Sequence, residues 1–233
     1  YCESRNIPVN KCGKLVVAQN QSELSQLDEL MVRAKNNNVP LETIAEEEAK
    51  AIEPRVKTFK RALFSPTTSS VNPSQVVQAM CDDANQEGLK LHRGVRYLKR
   101  TGKAIVKTTQ GNIEFGYMVN SAGLYADKIA QDFGFSRDYR ILPFKGLYLY
   151  SNESVGSFKT NIYPVPDLRN PFLGVHFTVT AEGKVKIGPT AIPAFWRENY
   201  KGLTNFNFTE LMEIIFRQAG LFWSSDFDFK NLA

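Results

Sequence analysis

The sequence predicts an α+β fold, a mixed or antiparallel sheet covered by helices. Three observations predict it. Residues 173–180 alternate, with Leu173, Val175, Phe177 and Val179 on one face and Gly174, His176, Thr178 and Thr180 on the other. That period of two marks a half-buried strand. Segments at about 22–38, 73–87 and 208–222 repeat apolar residues at helical spacing. The rest is rich in short strand-like runs and hairpin turns.

Taken in order, residues 1–10 read as a helix end and a turn at Ile7-Pro8, and 12–18 as a short buried strand. Ser22 opens a helix to about Asn38, with Leu24, Leu27, Leu30, Met31 and Ala34 on one face; the run Asn36-Asn37-Asn38-Val39-Pro40 ends it. A brief strand at 41–44 precedes a helix at about 45–52, whose first turn holds Glu46, Glu47 and Glu48. The helix dipole favours anions there. With nothing apolar around to raise a pKa, this is a solvated helix start and not acid–base machinery. A long loop follows, with one strand at 62–64. Asn72 caps and Pro73 opens the next helix, with Val76, Val77, Met80 and Ala84 inward, and Gly88 stops it. Strands are predicted at 89–92, 95–100, 104–109 and 113–119, with the hairpin turn Thr109-Gln110-Gly111-Asn112. A strand at 117–120, the turn Ser121-Ala122-Gly123 and a helix at about 126–132 form a strand–turn–helix unit. Its small residues let backbone approach a dinucleotide, though such turns are more often structural. A strand at 141–150 and a last helix at about 208–223 complete the reading; Leu211, Ile214, Ile215, Ala219 and Phe222 share one side of that helix.

The stretch 161–197 reads as loop, hairpin, loop. The turn Ala181-Glu182-Gly183 returns a strand at 184–189 with Val185 and Ile187 inward. This leaves His176 and Thr178 on a polar face, with Tyr163, Arg169 and Trp196 in the flanking loops. An exposed imidazole near an arginine and aromatics suits recognition of a small acid.

Composition narrows the classes. A net charge of +5 reflects scattered surface lysine and arginine such as Lys99, Arg100, Lys103 and Lys107; no nucleic-acid motif accompanies it. No apolar run approaches the ~18–20 residues of a membrane span. Cys2, Cys12 and Cys81 lack C-x-x-C spacing and fit a reducing compartment. With His92 and His176 far apart, no metal site is expected. The start, YCESRNIPVN, has neither an initiator Met nor a signal-peptide pattern, so a longer parent chain is expected.

The motifs IYPVPD, NPFLGVHFT and KIGPTA, with KCGKLVVA (11–18), VNSAGLYADKIA (119–130) and LPFKG (142–146), resemble the flavin-dependent L-2-hydroxyglutarate dehydrogenases and oxidases. These belong to the group that includes D-amino-acid oxidase and glycerol-3-phosphate dehydrogenase. The resemblance covers nearly the whole chain. It implies FAD as cofactor, a 2-hydroxy acid as substrate and quinone or oxygen as electron acceptor. The reaction implied is oxidation to the 2-oxo acid, with hydride passing to the flavin and a base taking the hydroxyl proton.

His176 is the leading base, since imidazole titrates near neutral pH, against a purely structural strand histidine. Lys145 in PFKG is the second catalytic candidate, as carboxylate binder or flavin neighbour, against a plain surface lysine. Tyr163, Tyr148 and Thr178 are candidate substrate hydrogen-bonders, and Arg169 a substrate contact or a loop arginine that binds nothing. Ala122 and Gly123 match the segment that closes over the cofactor, and Tyr97 the strand that passes the adenine. His92 only decorates a strand.

The chain is expected to split into two spatial parts, 1–70 with 141–233 as a sheet-built substrate domain and 71–140 as a partial, Rossmann-like FAD-binding domain, because the strand–turn–helix at 117–130 differs in character from the hairpin-rich rest. No G-x-G-x-x-G occurs. In the resembled family that motif lies before the segment matching Tyr1, and a further flavin segment follows the one matching Ala233. The chain therefore reads as the central part of a flavoenzyme, with little FAD affinity by itself. The expected location is the cytoplasm, with peripheral contact at the inner membrane face as a variant. Where relatives show G-I-V-D, this chain has Ser69-Ser70-Val71-Asn72, which keeps a cap but drops an acid and so bears on substrate preference. Two alternatives stay open: an amino-acid or amine oxidase of the same group, and a non-catalytic domain that binds a small acid or a partner surface.

Overall fold

The computed structural model describes residues 1–166 and 172–223. Among these, the strands are β1 (Val9–Asn10), β2 (Lys14–Val17), β3 (Glu42–Ala45), β4 (Arg61–Ser65), β5 (Ser70–Val71), β6 (Tyr97–Gly102), β7 (Ile105–Thr108), β8 (Gly111–Glu114), β9 (Phe144–Tyr150), β10 (Asn161–Pro164), β11 (His176–Val179) and β12 (Val185–Pro193). The helices are α1 (Leu24–Asn36), α2 (Glu46–Ile52), α3 (Pro73–Gln86), α4 (Ala126–Asp132) and α5 (Phe208–Trp223). The fold is the expected mixture of helices and mixed sheet. Two compact units form, Tyr1–Leu89 with Gly146–Ala191, and Lys90–Lys145 with Ile192–Ala233. These units are cut differently from the two spatial parts expected, 1–70 with 141–233 and 71–140.

The first unit is organised by a seven-stranded sheet in the order β3-β4-β2-β10-β11-β12-β9. β2 pairs parallel with β10 and antiparallel with β4; β11 pairs antiparallel with β10 and with β12. The apolar run of β2 is continuous because both of its faces are covered. Leu15 and Val17 pack with Ile44, Ala49, Val56 and Ala62 on the α2 side. Val16 and Ala18 pack with Leu27, Leu63 and Val165 on the α1 side. Leu15, Leu27 and Leu63 are fully buried, each worth ~1.5–3 kcal/mol over exposure. Farther along the sheet, Phe158, Val179 and Val185 form a third cluster with Phe177, on the face opposite His176. Gly183 takes φ 77 in the hairpin turn, as its place in the sequence requires.

Helix starts follow their local signals. Asn72 accepts the Ser74 N–H at the start of α3, and the Glu48 carboxylate accepts the Ala45 N–H at the start of α2. The inward face expected for α3 is a correction: the helix has no buried residue, and Val77 and Met80 are more than half exposed. It is held by polar contacts instead, Asp83 accepting from Tyr1 and pairing with Arg5. An amphipathic stripe sets which face can be covered but not what covers it. Likewise Leu173 and Val175, expected inward, are exposed, because the strand begins only at His176.

In the second unit β6, β7 and β8 form an antiparallel meander. Asp132 at the end of α4 accepts from the Tyr97 hydroxyl and the Arg100 N–H, fastening helix to meander. Two expected strands are absent. Residues 89–92 and 117–120 carry no regular structure, with Tyr117 89% and Val119 77% exposed. A strand needs a ladder partner, and none of the described residues supplies one there. On α5 Ile214 is buried, whereas Ile215, expected beside it, is exposed.

Gly188 tests how tightly the sheet is built. It lies opposite His176 on β12 at φ 142, and a Cβ there would come within 2.6 Å of Leu147 O. Gly188→Ala is expected to destabilise the protein by about 2 kcal/mol or more, read by denaturant unfolding. An unchanged midpoint would show that β9 moves aside freely.

Candidate active site

Cross-strand register builds the site. On β10 and β11, Ile162 opposes Phe177, which sets Tyr163 opposite His176 and Asn161 opposite Thr178. Asn161 opposes Lys14 on β2, and Thr178 opposes Lys186 on β12. Lys14, Asn161, Thr178 and Lys186 thus form one row across four strands. Val16, Tyr163, His176 and Gly188 form the next row on the same face. Asn161 locks this alignment from a buried position. Its amide donates to Gly13 O at 2.8 Å, and its Oδ1 accepts the Val179 N–H at 2.8 Å.

His176 and Thr178 share a face, as expected, and Tyr163 joins them. The expected exposure of the imidazole is a correction: His176 is only 5% exposed. The Tyr163 ring lies across it, with centroids 3.9 Å apart and planes 17° from parallel. The His176 Nδ1 sits 2.9 Å from Gly174 O. A carbonyl oxygen only accepts, so the neutral ring carries its proton on Nδ1 and keeps the lone pair on Nε2. Burial holds the imidazole below its ordinary pKa; Lys186 and Lys14 push the same way, against the Gly174 bond. The ring is therefore neutral at neutral pH and able to accept a proton.

Lys14 and Lys186 were not anticipated. Each is half-buried, and among the described residues neither has a carboxylate partner. The Lys14 ammonium lies 5.3 Å from the Tyr163 ring centre, and that of Lys186 lies 4.7 Å from the Tyr148 ring centre. Tyr148 thus joins the site through Lys186, although its own side is exposed. Arg169 lies outside the described residues.

The remaining expected residues lie in the second unit. Lys145 donates to Asn199 Oδ1 at 3.2 Å. Trp196 is buried, donating to Thr204 O and packing edge-on against Phe206. Tyr97 and Ala122 line one cavity of about 980 Å³, together with Tyr125, Lys128, Arg96 and Glu210. Burial, with Glu210 and Glu198, raises the Tyr125 hydroxyl to about 12, so it stays a hydrogen-bond donor. Gly123 takes φ 53, and nothing lies within 4 Å of where its Cβ would stand. The turn is thus open to a bound group, and the cavity wall beside it is aromatic and of mixed charge, Arg96, Lys99 and Lys128 standing with Asp132, Glu198 and Glu210. These residues fit part of a flavin dinucleotide; no glycine-rich turn among the described residues offers a pyrophosphate cradle.

A buried ion pair, also unanticipated, fixes that turn. Arg197 donates to Asp127 Oδ1 and Oδ2, both at 2.8 Å, with side chains 2% and 5% exposed. Arg197 also donates to Leu124 O, and Asp127 accepts the Ile141 N–H. Burial alone would raise the Asp127 pKa; the guanidinium and backbone N–H groups outweigh it and hold the carboxyl below its ordinary value.

The model of the family described as FAD dependent oxidoreductase matches residues 1–219. The chain is 37% identical over 232 residues to the mitochondrial L-2-hydroxyglutarate dehydrogenase of Homo sapiens, covering 92% of this chain and 50% of that protein. It is 35% identical over 221 residues to the L-2-hydroxyglutarate dehydrogenase of Indibacter alkaliphilus, covering 92% of this chain and 55% of that protein. The chain thus spans about half the length of these relatives. In fold it is similar to L-proline dehydrogenase from P. horikoshii, with a TM-score of 0.73 at 21% identity over 93% of this chain and 57% of that one. It is also similar to the FAD-bound L-alpha-glycerophosphate oxidase from Mycoplasma pneumoniae, with a TM-score of 0.72 at 20% identity over 89% of this chain and 56% of that one. The expected cytoplasmic location is overturned: the relatives from Homo sapiens, Nematostella vectensis and Mus musculus are mitochondrial by name.

Proposed function

This chain belongs to the family of FAD-dependent oxidoreductases, and on that premise we propose that it carries the substrate face and base of an enzyme that oxidises a 2-hydroxy acid to the 2-oxo acid. The substrate is L-2-hydroxyglutarate, the acid named in the relatives at 35–37% identity. One observation carries the reading. A buried, neutral His176 keeps its Nε2 lone pair on a sheet face shared with Tyr163 and Thr178.

His176 Nε2 accepts the substrate hydroxyl proton. The Nδ1 bond to Gly174 O fixes the tautomer, and the stack on Tyr163 fixes the ring plane. Burial excludes water that would compete for the lone pair. Thr178, in the neighbouring row, is placed to hydrogen-bond the substrate. FAD, when bound, would supply the hydride acceptor, with quinone or oxygen as the final electron acceptor. Ala122, Gly123 and Tyr97 would hold it on this chain, and Lys145 would bind a carboxylate or lie beside the flavin. By role, 1–70 and 141–233 serve the substrate and 71–140 the cofactor.

The test is the pH profile of kcat/KM in the flavin-loaded enzyme. The base acts only when neutral, so activity falls as pH drops through the His176 pKa. That value lies below the ordinary 6.5, so the acid limb is expected below it. An acid limb that persists unchanged in His176→Gln would remove His176 from this role.

A further inference from the structure

We infer that Lys14 and Lys186 are paired carboxylate posts on the His176 face, and that Lys14 selects substrates with a second, distal carboxylate. The inference rests on the proposed 2-hydroxy-acid chemistry and assigns its specificity to residues of this chain. The two lysines occupy one cross-sheet row, with Asn161 and Thr178 between them. Three strand spacings put their Cα atoms about 14 Å apart. The Lys14 head lies over Tyr163 of β10 and the Lys186 head over Tyr148 of β9, so the two ammonium groups bracket the row with a span suited to a short dicarboxylate between them.

Electrostatics supports the pairing. A half-buried ammonium without an anionic partner is costly, and among the described residues each of these has only a tyrosine ring beneath it. Both charges are felt at His176. A bound dianion would neutralise both. Position divides the roles. Lys186 stands one strand from His176 and Lys14 two strands away, each one row removed. The carboxylate bonded to the reacting carbon therefore falls to Lys186. The far carboxylate falls to Lys14, whose head leans over Tyr163.

The experiment compares 2-hydroxyglutarate with 2-hydroxypentanoate, which matches it in chain length but lacks the distal carboxylate, in the flavin-loaded enzyme. Lys14→Met should lower kcat/KM for the dicarboxylate roughly 10- to 100-fold, mostly through KM, and change the monocarboxylate less than about 3-fold. Lys14→Arg should restore most of the preference, which a packing role would not. Lys186→Met should lower both substrates together. Calorimetric binding of glutarate and pentanoate, which have no hydroxyl to oxidise, reads the posts apart from the chemistry. Wild type should prefer glutarate, and Lys14→Met should lose that preference. Equal losses on both substrates in Lys14→Met, or no glutarate preference in wild type, would overturn the inference while leaving His176 as base. A retained glutarate preference with normal turnover in His176→Gln would instead sink the base and leave the posts standing.

Discussion

His176→Gln is expected to cut turnover by about 10²-fold or more, with flavin content and unfolding midpoint nearly unchanged. Glutamine keeps a polar side chain of similar length and still donates to Gly174 O from its amide. It has no lone pair basic enough to take an alcohol proton. Loss of the stack on Tyr163, at 3.9 Å between ring centres, costs little by comparison, about 0.5–1.5 kcal/mol of stability. The two readouts therefore separate. Should stability fall while turnover per folded molecule stays normal, His176 is a structural histidine. Should only KM rise, it binds a carboxylate and the base lies elsewhere.

Arg197→Met is expected to destabilise the protein by about 3–5 kcal/mol. The substitution leaves Asp127 buried with one strong partner gone and removes the tie to Leu124 O. For a chain of this size each kcal/mol moves the melting temperature about 2–4 °C, so a fall of roughly 10 °C or more should appear by calorimetry. The double variant Arg197→Met with Asp127→Leu should recover part of the loss, because the stranded charge is gone. A single variant within about 1 kcal/mol of wild type would show that the pair holds nothing. The pH sign follows from Asp127. Its folded pKa lies below its unfolded value, so its contribution is present above the ordinary aspartate range and is lost as pH falls through the folded value.

Local signals were legible in the sequence. The extents of α3 and α4 and the turn at Gly183 follow from caps, periodicity and glycine within a few residues. What depended on distant partners was not. The apolar run at 117–119 promised a strand, but no such run says whether a neighbour is there to pair. His176 and Thr178 were placed on one face correctly, yet the burial of His176 comes from Tyr163 on another strand. Lys14 and Lys186 looked like ordinary lysines, because the row that joins them exists only once four strands are in register. Arg197 and Asp127 were invisible for the same reason, being 70 residues apart.

The Asn161 bond to Gly13 O spans 148 residues of chain. Its consequence is kinetic. Closing a loop of that length is entropically slow, and parallel pairing of β2 with β10 offers no hairpin to shorten it. During synthesis β2 can pair with β4 early, while its other edge waits for β10 to emerge. The substrate face is thus among the last parts of the first unit to assemble, and an incompletely made chain holds an open strand edge until then.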